Sequence, residues 1–208
     1  MRACLHLNEV GLAEEKSDDV EHFNRRSLTY ETSFGQRIYF DRIQKAVLKL
    51  VKEGYAPEVV LDVGCGTGRL LRKVRERWPA ARLIGVDPAP GMIEKARELV
   101  PYGTFYVGKA ESLPLPDASV DLAFSTMSFH HWQDKGKALG EVRRVLRPSG
   151  RFFLADVLLP LGLTRFSRQL RLNAPSRIRE AFVGAGLNVR LQKRRLMLWL
   201  LITVGERS

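Results

Sequence analysis

The sequence contains only two cysteines, Cys4 and Cys65, among its 208 residues. Two thiols that lie so far apart in the chain form no disulfide framework and match no metal-ligand spacing, so we predict reduced thiols and no metal site. The sequence also lacks any apolar run of about eighteen residues, the length that a membrane-spanning helix needs. Its most apolar stretch, at 196–204, is short enough to be a buried strand. We therefore expect no spanning helix.

A secretory signal peptide is also missing from the amino-terminal residues, which become acidic at Glu14, Glu15 and Asp18 where such a peptide would be apolar. We therefore expect a cytoplasmic protein. The length suits one domain with a small appendage. We predict a helical cap over residues 1–54 and a main domain over 55–208. A hydrophobic content of 45% is enough for the main domain to bury a core.

Acidic residues are outnumbered by basic ones, and the formal net charge is +11. The excess is concentrated between residues 143 and 195, where arginines recur and acidic residues are few. A surface of this kind attracts anionic partners such as nucleic acid or acidic lipid. A solvated basic face is the simpler interpretation, and both interpretations remain at this stage.

After a helical region at 18–53, short apolar segments alternate with amphipathic ones, which is the pattern of βαβ units around a parallel sheet. The predicted strands cover residues 58–63, 81–87, 104–108, 119–125 and 151–157. The predicted helices between and after them cover residues 68–78, 90–99, 134–146 and 175–185. Two further strands are predicted at 188–194 and 196–206. Because so few residues separate them, they should form an antiparallel hairpin. The sequence therefore predicts an α/β fold.

A glycine-rich segment, LDVGCGTGRL, lies at 61–70, where the first strand gives way to the first helix. Gly64, Gly66 and Gly68 allow the backbone to turn sharply and to approach a ligand closely, because glycine has no Cβ. The dinucleotide fingerprint requires its third glycine one position later, where Arg69 stands, and a P-loop requires a lysine that is absent. The spacing therefore indicates a different nucleotide-like ligand.

Acidic residues flank this loop on two strands. Asp87 ends the second strand, where a carboxylate can accept hydrogen bonds from both hydroxyls of a ribose. Pro88 stops that strand, and Met92 follows at a position where a thioether can pack on an adenine. Asp62 precedes the loop and is placed to meet a ligand ammonium group. We predict all four residues, with Gly64, Gly66 and Gly68, as ligand-binding.

These segments resemble the class I S-adenosylmethionine-dependent methyltransferases, particularly the small-molecule branch that includes ubiquinone and menaquinone biosynthesis methyltransferases. The matching segments are VVLDVGCGTGRL (59–70), VDPAPGMIEKAR (86–97), GKAESLPLPDASVDLAFSTMSFHHW (108–132) and LRPSGRFFLADV (146–157). The resemblance implies a Rossmann-like three-layer sandwich with a seven-stranded, mostly parallel sheet and an antiparallel terminal hairpin. It also implies an enzyme that uses S-adenosylmethionine as its cofactor and methylates a small-molecule acceptor.

The resemblance further assigns cofactor contacts to individual residues. They are Gly64, Cys65 and Gly66 beside the methionine portion, Asp87 at the ribose, Met92, Ala110 and Glu111 around the adenine, Ser125 at the end of the fourth strand, and Tyr30 in the helical cap. For Met92 and Tyr30, packing without cofactor contact remains the alternative. No thiol chemistry is assigned to Cys65.

Two adjacent histidines, His130 and His131, follow the fourth strand in the segment MSFHHW. The carboxyl ends of parallel strands face the ligand crevice, and histidine titrates near neutral pH. We therefore predict these two residues as candidate general bases that remove a proton from the methyl acceptor. The alternative is a structural role, in which one histidine packs against the next helix.

Two other functions remain as alternatives. A nucleic-acid methyltransferase would use the basic residues of the C-terminal third to bind phosphates, although the fourth strand ends in STMSFHH rather than in the Asn/Asp-Pro-Pro-aromatic run of amino-methylating enzymes. A non-catalytic module that only binds S-adenosylmethionine would have a blocked acceptor pocket. The identity of the acceptor and the oligomeric state stay open.

Overall fold

A computed structural model describes residues 20, 21, 23–25, 34–157, 174–195 and 199–208 of the chain. Its centre is a seven-stranded sheet in the order β3-β2-β1-β4-β5-β7-β6. The strands are β1 Val59–Val63, β2 Arg82–Asp87, β3 Thr104–Val107, β4 Val120–Thr126, β5 Leu146–Val157, β6 Leu187–Arg195 and β7 Leu200–Arg207.

Strands β1 to β5 run parallel, and β7 runs antiparallel to both of its neighbours, β5 and β6. All five residues of β1 are buried, as expected for a central parallel strand that is covered on both faces. Arg195 of β6 pairs with Leu200 of β7, which confirms the predicted terminal hairpin. The order and directions of the strands confirm the predicted fold class.

Five helices surround the sheet in the described residues. They are α1 Phe34–Leu48, α2 Arg69–Arg77, α3 Pro90–Leu99, α4 Lys135–Val145 and α5 Pro175–Gly184. Helix α3 begins with a proline, whose missing N–H would be unpaired in a first turn in any case. Helix α4 begins after Asp134, whose side chain accepts a hydrogen bond from the Lys137 amide at 2.9 Å and caps the helix.

Two hydrophobic clusters, one on each face of the sheet, create the three layers. The first cluster joins α1, α2 and α3 to the sheet through Ile43, Leu71 and Ile93. The second joins α4 and α5 to the other face through residues such as Val142 and Phe182. Helix α1 therefore shares a core with the sheet. The division of the chain at residue 54 stays a prediction.

The start of β5 differs from the sequence prediction, in which a helix ends at residue 146, Pro148 and Gly150 turn the chain, and the strand begins only at residue 151. The strand begins at Leu146, and its register against β4 shifts between Val120 and Leu122. Ser149 has a positive φ of 62° in this irregular stretch. The turn residues thus form a bulge inside a longer strand, because one strand can absorb extra residues without ending the ladder.

Four arginines of the C-terminal third form ion pairs within the fold. Arg147 pairs with Glu58 and Asp121, while Arg151 and Arg190 both pair with Glu206. Arg144 pairs with Glu141 and Asp117 and also donates to two backbone carbonyls.

Among the described helices, none is long and apolar enough to cross a membrane.

Candidate active site

A cleft of about 930 Å³ lies at the carboxyl ends of β1, β2 and β4. In open α/β sheets ligands bind where the strand order reverses, which here is between β1 and β4. The residues that line the cleft are Val20, Phe23, Val63, Gly64, Gly66, Val86, Asp87, Pro88, Ala89, Met92, Gly108, Lys109, Ala110, Glu111, Thr126, Met127, Ser128, His131, Trp132 and Gln133.

The glycine loop between β1 and α2 forms one wall of this cleft. Gly64 has a φ of +75°, and a Cβ added there would lie 2.1 Å from Ser128 Oγ, so only glycine fits. Gly66 also lines the cleft. Gly68 faces away from it, toward Val100 and Phe105, and its position next to the start of α2 makes it a structural residue of the loop.

The carboxylate of Asp87 connects this loop to the end of β2. Its Oδ2 accepts the Gly66 amide at 2.9 Å, and its Oδ1 accepts the Ala89 amide at 3.0 Å. Burial raises the pKa of Asp87 above its usual range, although the two amide hydrogen bonds act in the opposite direction. Asp87 therefore lies in the cleft, as predicted, and also holds the loop in place.

Asp62 in β1 is a buried carboxyl group, only 2% exposed. Its Oδ1 has no hydrogen-bond partner among the described residues. Burial, reinforced by the charge of nearby Asp87, raises the pKa of Asp62 to about 8. A buried carboxyl without a partner is costly, and the cost is removed when a cationic ligand group binds beside it. This site therefore suits the ammonium group that the sequence predicted for it.

Three residues that were predicted around the adenine, Met92, Ala110 and Glu111, line the cleft, as does Pro88. The carboxylate of Glu111 also accepts hydrogen bonds from the backbone. Its Oε1 accepts the amides of Gln133 at 2.6 Å and Asp134 at 3.1 Å, which anchors the segment between β4 and α4.

Three predicted cofactor contacts, Asp62, Cys65 and Ser125, are buried outside the lining of the cleft. Cys65 is buried, and burial raises the pKa of its thiol well above the usual range. Ser125 is buried in β4 and shares a hydrogen bond with Ser128, whose Oγ lies 3.0 Å from Ser125 Oγ. Ser125 thus supports Ser128, which lines the cleft and which the sequence interpretation did not select.

Amino-terminal residues cover one side of the cleft. Val20 and Phe23 line it, and the Phe23 ring packs edge-on against His131 with the ring centroids 5.3 Å apart. Asn24 Oδ1 accepts the Gly91 amide at 3.0 Å, which ties this segment to the first turn of α3. The predicted contact Tyr30 lies outside the described residues. Neither Val20 nor Phe23 has a local sequence signal that identifies it as a cleft residue.

The two histidines occupy different environments in a single 3₁₀ turn, Phe129–His131. His131 lines the cleft, whereas His130 lies behind it and packs against His131 with the ring centroids 4.0 Å apart. His130 Nδ1 lies 2.7 Å from Asp156 Oδ1, and the His130 amide donates to Asp156 Oδ2 at 2.8 Å. Asp156 was not selected as a candidate site residue from the sequence. Its place at the carboxyl end of the fifth strand, next to the carboxyl end of the fourth, was the signal that could have identified it.

Among the described residues, no group of histidine, cysteine and acidic side chains is arranged to hold a metal ion. The polar residues that line the cleft are instead two carboxylates, two hydroxyl residues, a lysine, a histidine and a glutamine: Asp87, Glu111, Thr126, Ser128, Lys109, His131 and Gln133. Such a set suits a ligand that carries hydroxyl groups and a positive charge.

Sequence comparison supports this interpretation of the cleft. Residues 61–154 match the family model described as a methyltransferase domain. The chain is 36% identical over 150 residues to the malonyl-[acyl-carrier protein] O-methyltransferase of Hahella chejuensis, covering 70% of this chain and 52% of the relative. It is 35% identical over 127 residues to the demethylmenaquinone methyltransferase of Thermotoga maritima, covering 61% of this chain and 55% of the relative. The chain thus spans about half the length of these relatives.

Solved structures share the fold at lower sequence identity. A chain from the complex of the Haloferax volcanii Trm112 methyltransferase activator aligns with a TM-score of 0.76 and 23% identity, over 89% of this chain and 97% of the other. The geranyl diphosphate C-methyltransferase of Streptomyces coelicolor aligns with a TM-score of 0.70 and 12% identity, over 81% and 77%. The family model, the relatives and the fold agree with the motifs, and residues 61–154 constitute a methyltransferase domain.

Proposed function

We propose that this protein transfers the methyl group of S-adenosylmethionine to a small-molecule acceptor. The observation that carries the proposal is the cleft between β1 and β4, which is lined by a glycine loop and by the carboxylate of Asp87. Asp62 is buried in β1 next to this loop, and its Oδ1 has no hydrogen-bond partner among the described residues. The match to the methyltransferase domain supports the reaction type, and these residues support S-adenosylmethionine as the ligand.

The residues of the cleft fit the cofactor in three regions. Asp62 Oδ1 suits the ammonium of the methionine portion, and the space in front of Gly66 is open, with no atom within 4 Å of an added Cβ. Asp87 suits the ribose hydroxyls, because each carboxylate oxygen has a second lone pair beyond the amide that it already accepts. Met92 and Ala110 offer apolar contacts for the adenine. Glu111 at the adenine edge remains part of the proposal.

When bound, the cofactor supplies a methyl group on a positively charged sulfur, which is already activated for in-line displacement. The protein therefore contributes mainly position and exclusion of water. Phe23 and Trp132 give the cleft apolar walls, and His131 provides a polar group within it. His130 and His131 are the residues that we propose as candidates to receive a proton from the acceptor.

The acceptor that we propose is a small metabolite. The relatives are named for malonyl-[acyl-carrier protein] and demethylmenaquinone, and one structural neighbour for geranyl diphosphate, so the fold serves chemically different acceptors. The nucleic-acid alternative is less favoured, because Arg144, Arg147, Arg151 and Arg190 of the basic C-terminal third pair with carboxylates of the same chain. A cytoplasmic location stays a prediction from the sequence.

Calorimetric titration with S-adenosylmethionine, S-adenosylhomocysteine and NAD tests the proposal. We expect micromolar binding of the first two and none of NAD. Asp87→Ala should abolish that binding, whereas Asp117→Ala, which removes an exposed carboxylate paired with Arg144, should leave it unchanged. Preference for NAD, or equal binding by Asp87→Ala, would contradict the proposal. Binding without transfer to any acceptor in a broad metabolite screen would favour a non-catalytic binding module.

A further inference from the structure

The end of the terminal hairpin presents positive charge together with exposed apolar side chains. Strand β6 is the edge strand of the sheet, and it ends in three exposed cations, Lys193, Arg194 and Arg195. Trp199, directly before β7, is 52% exposed, and Leu191 of β6 is 36% exposed. We refer to these five residues as the hairpin surface.

No described carboxylate balances the charge of the hairpin surface. The sequence has no acidic residue between Glu180 and Glu206. Glu206 itself pairs with Arg151 and Arg190, farther from the end of the hairpin. The three cations of the hairpin surface form no ion pair with any described residue. Their charge is therefore available to a partner with negative charge.

The register of the hairpin places an apolar side chain on the same face as two of the cations. Leu191, Lys193 and Arg195 pair with residues of β7 that belong to the first hydrophobic cluster. Because side chains alternate between the faces of a strand, these three share one face and Arg194 lies on the other. All three remain exposed, so the helices packed on that face do not extend over this part of β6.

Trp199 distinguishes this surface from an edge strand that is merely protected by charge. Charged side chains on an edge strand prevent pairing with another chain, and that role accounts for the cations. It does not account for an exposed indole beside them. Trp199 has a φ of +48°, which a bulky residue rarely adopts, and no described ring or cation stacks on it. Surfaces that bind membranes combine tryptophan and leucine with lysine and arginine in this way.

The hairpin surface lies at the same edge of the sheet as the cleft. Val157, at the carboxyl end of β5, pairs with Leu200, and Leu200 pairs with Arg195. Strand β4 runs parallel to β5, and the cleft lies at its carboxyl end. Three strand spacings of about 4.8 Å separate β4 from β6, which is about 14 Å. A partner that contacts the end of the hairpin therefore lies on the side of the sheet that holds the cleft.

We propose that the hairpin surface docks this protein on an anionic lipid membrane. The cations meet lipid phosphates, and Trp199 and Leu191 enter the headgroup region. Each lysine or arginine near an anionic membrane strengthens binding about fivefold, so three of them support a reversible association. A nucleic acid also attracts the cations, but exposed Leu191 gains nothing from a phosphate backbone, which favours lipid. The inference goes beyond the proposed function, and docking requires no cofactor.

Co-sedimentation of the full chain with vesicles tests the proposal. The probes are vesicles of phosphatidylcholine alone and vesicles of phosphatidylcholine and phosphatidylglycerol in equal parts. We expect binding to the anionic vesicles, little binding to the neutral ones, and weaker binding as the salt concentration rises. Lys193→Gln combined with Arg195→Gln should lower the affinity for anionic vesicles about 25-fold, because two cations are lost.

Lys49→Gln combined with Lys52→Gln is the matched control. Both lysines are exposed, and the pair of substitutions removes the same charge. They lie near the amino ends of the strands, where Arg77 at the end of α2 donates to the Val51 carbonyl at 2.9 Å. This variant should bind anionic vesicles nearly as well as the wild type. Equal losses in the two double variants would overturn the proposal, because binding would then follow net charge alone.

Tryptophan fluorescence tests the apolar part of the surface. Trp78 and Trp132 are buried, so exposed Trp199 should dominate any change on binding. We expect the emission to move to shorter wavelength with anionic vesicles, and Trp199→Phe should abolish that shift while most of the binding remains. Thermal unfolding and S-adenosylhomocysteine binding control for the fold of each variant.

Three results would overturn the proposal. They are no binding to anionic vesicles, an unchanged emission on binding, and binding of a single-stranded oligonucleotide without binding of vesicles, which would assign the surface to nucleic acid. A failure to bind S-adenosylmethionine would instead overturn the proposed function and leave the vesicle result to decide the docking surface.

Discussion

The hydroxyl of Ser128 occupies the space in front of Gly64, so that a Cβ added to Gly64 would lie 2.1 Å from Ser128 Oγ. Ser128 also accepts the indole N–H of Trp132 at 3.2 Å and donates to the Val63 carbonyl at 3.1 Å. Through these contacts the segment after β4 is packed directly onto the glycine loop. A change in either segment should therefore disturb both walls of the cleft.

Gly64→Ala should destabilise the protein and abolish cofactor binding. Alanine at a φ of +75° costs about 1–3 kcal/mol, and the added methyl group must also displace Ser128. Urea unfolding and calorimetric titration with S-adenosylhomocysteine would measure the two effects. Gly140→Ala is the matched control, because its Cβ would meet no atom within 4 Å inside α4. We expect that change to stabilise the helix by about 0.5–1 kcal/mol. Equal effects of the two substitutions would contradict the packing argument.

The raised pKa of Asp62 should make the stability of the free protein depend on pH. The pKa of Asp62 is about 8 in the folded protein against a usual value of 3.8, so the folded state retains a proton that the unfolded chain releases between these values. Stability therefore falls as the pH rises through this window. Urea unfolding at pH 5, 6.5 and 8 should show a smaller fall for Asp62→Asn, which cannot ionise. A parallel fall in both proteins would show that Asp62 is ionised throughout.

Binding of the cofactor should release a proton from Asp62. A positive ligand group beside this carboxyl favours its charged form and so lowers its pKa below the value of about 8 in the free protein. Titrations with S-adenosylmethionine at pH 7 in buffers of different ionisation enthalpy would count the released protons. We expect up to about one proton per site for the wild type and less for Asp62→Asn. Identical proton counts would place the ammonium group elsewhere.

Arg144 should matter for stability rather than for binding of an anionic partner. It donates to the carbonyls of Leu113 and Leu115 and to the carboxylates of Glu141 and Asp117, so it holds the segment before β4 against α4. Arg144→Ala should lower the free energy of unfolding by about 1–3 kcal/mol, because buried acceptors lose their donor. Arg179→Ala, at an exposed position of α5, should change it by less than about 0.5 kcal/mol. A larger loss for the Arg179 variant would contradict this assignment.

Asn24 should influence cofactor affinity from outside the glycine loop. Its side-chain oxygen accepts the Gly91 amide and holds Phe23 over the cleft. Asn24→Ala should weaken S-adenosylhomocysteine binding about tenfold, as expected for the loss of one such hydrogen bond. Asn24→Asp, which keeps the acceptor oxygen, should bind nearly as well as the wild type. Arg25→Ala controls for a general effect on this segment, because Arg25 forms an exposed ion pair with Glu21.

Much of the fold follows from short-range patterns in the sequence. The helix predicted at 90–99 is observed over Pro90–Leu99, and the strand predicted at 81–87 over Arg82–Asp87. Both segments carry strong local signals: a proline at the first helical position, and a continuous apolar run that ends in an acidic residue. The start of β5 escaped prediction because a bulge is defined by the partner strand, which the local sequence around Ser149 does not reveal.

Part of the site could be predicted for the same reason. The glycine loop, Asp87 and Met92 lie within about one βαβ unit, whose geometry is nearly constant, so their spacing already places them together. Contacts between distant segments had no such signal. The pairing of His130 with Asp156, the anchoring of residues 133 and 134 by Glu111 and the support of Ser128 by Ser125 appear only once β4 is placed between β1 and β5.

The sequence by itself determined the class of fold and the glycine loop at the end of β1, because periodicity and glycine spacing act through neighbouring residues. Only the tertiary structure decided which histidine faces the cleft and which is held by a carboxylate. It also decided that four arginines of the C-terminal third, Arg144, Arg147, Arg151 and Arg190, pair with carboxylates of the same chain. These properties depend on burial and on distances between strands that are remote in sequence, and the order of the sheet sets both.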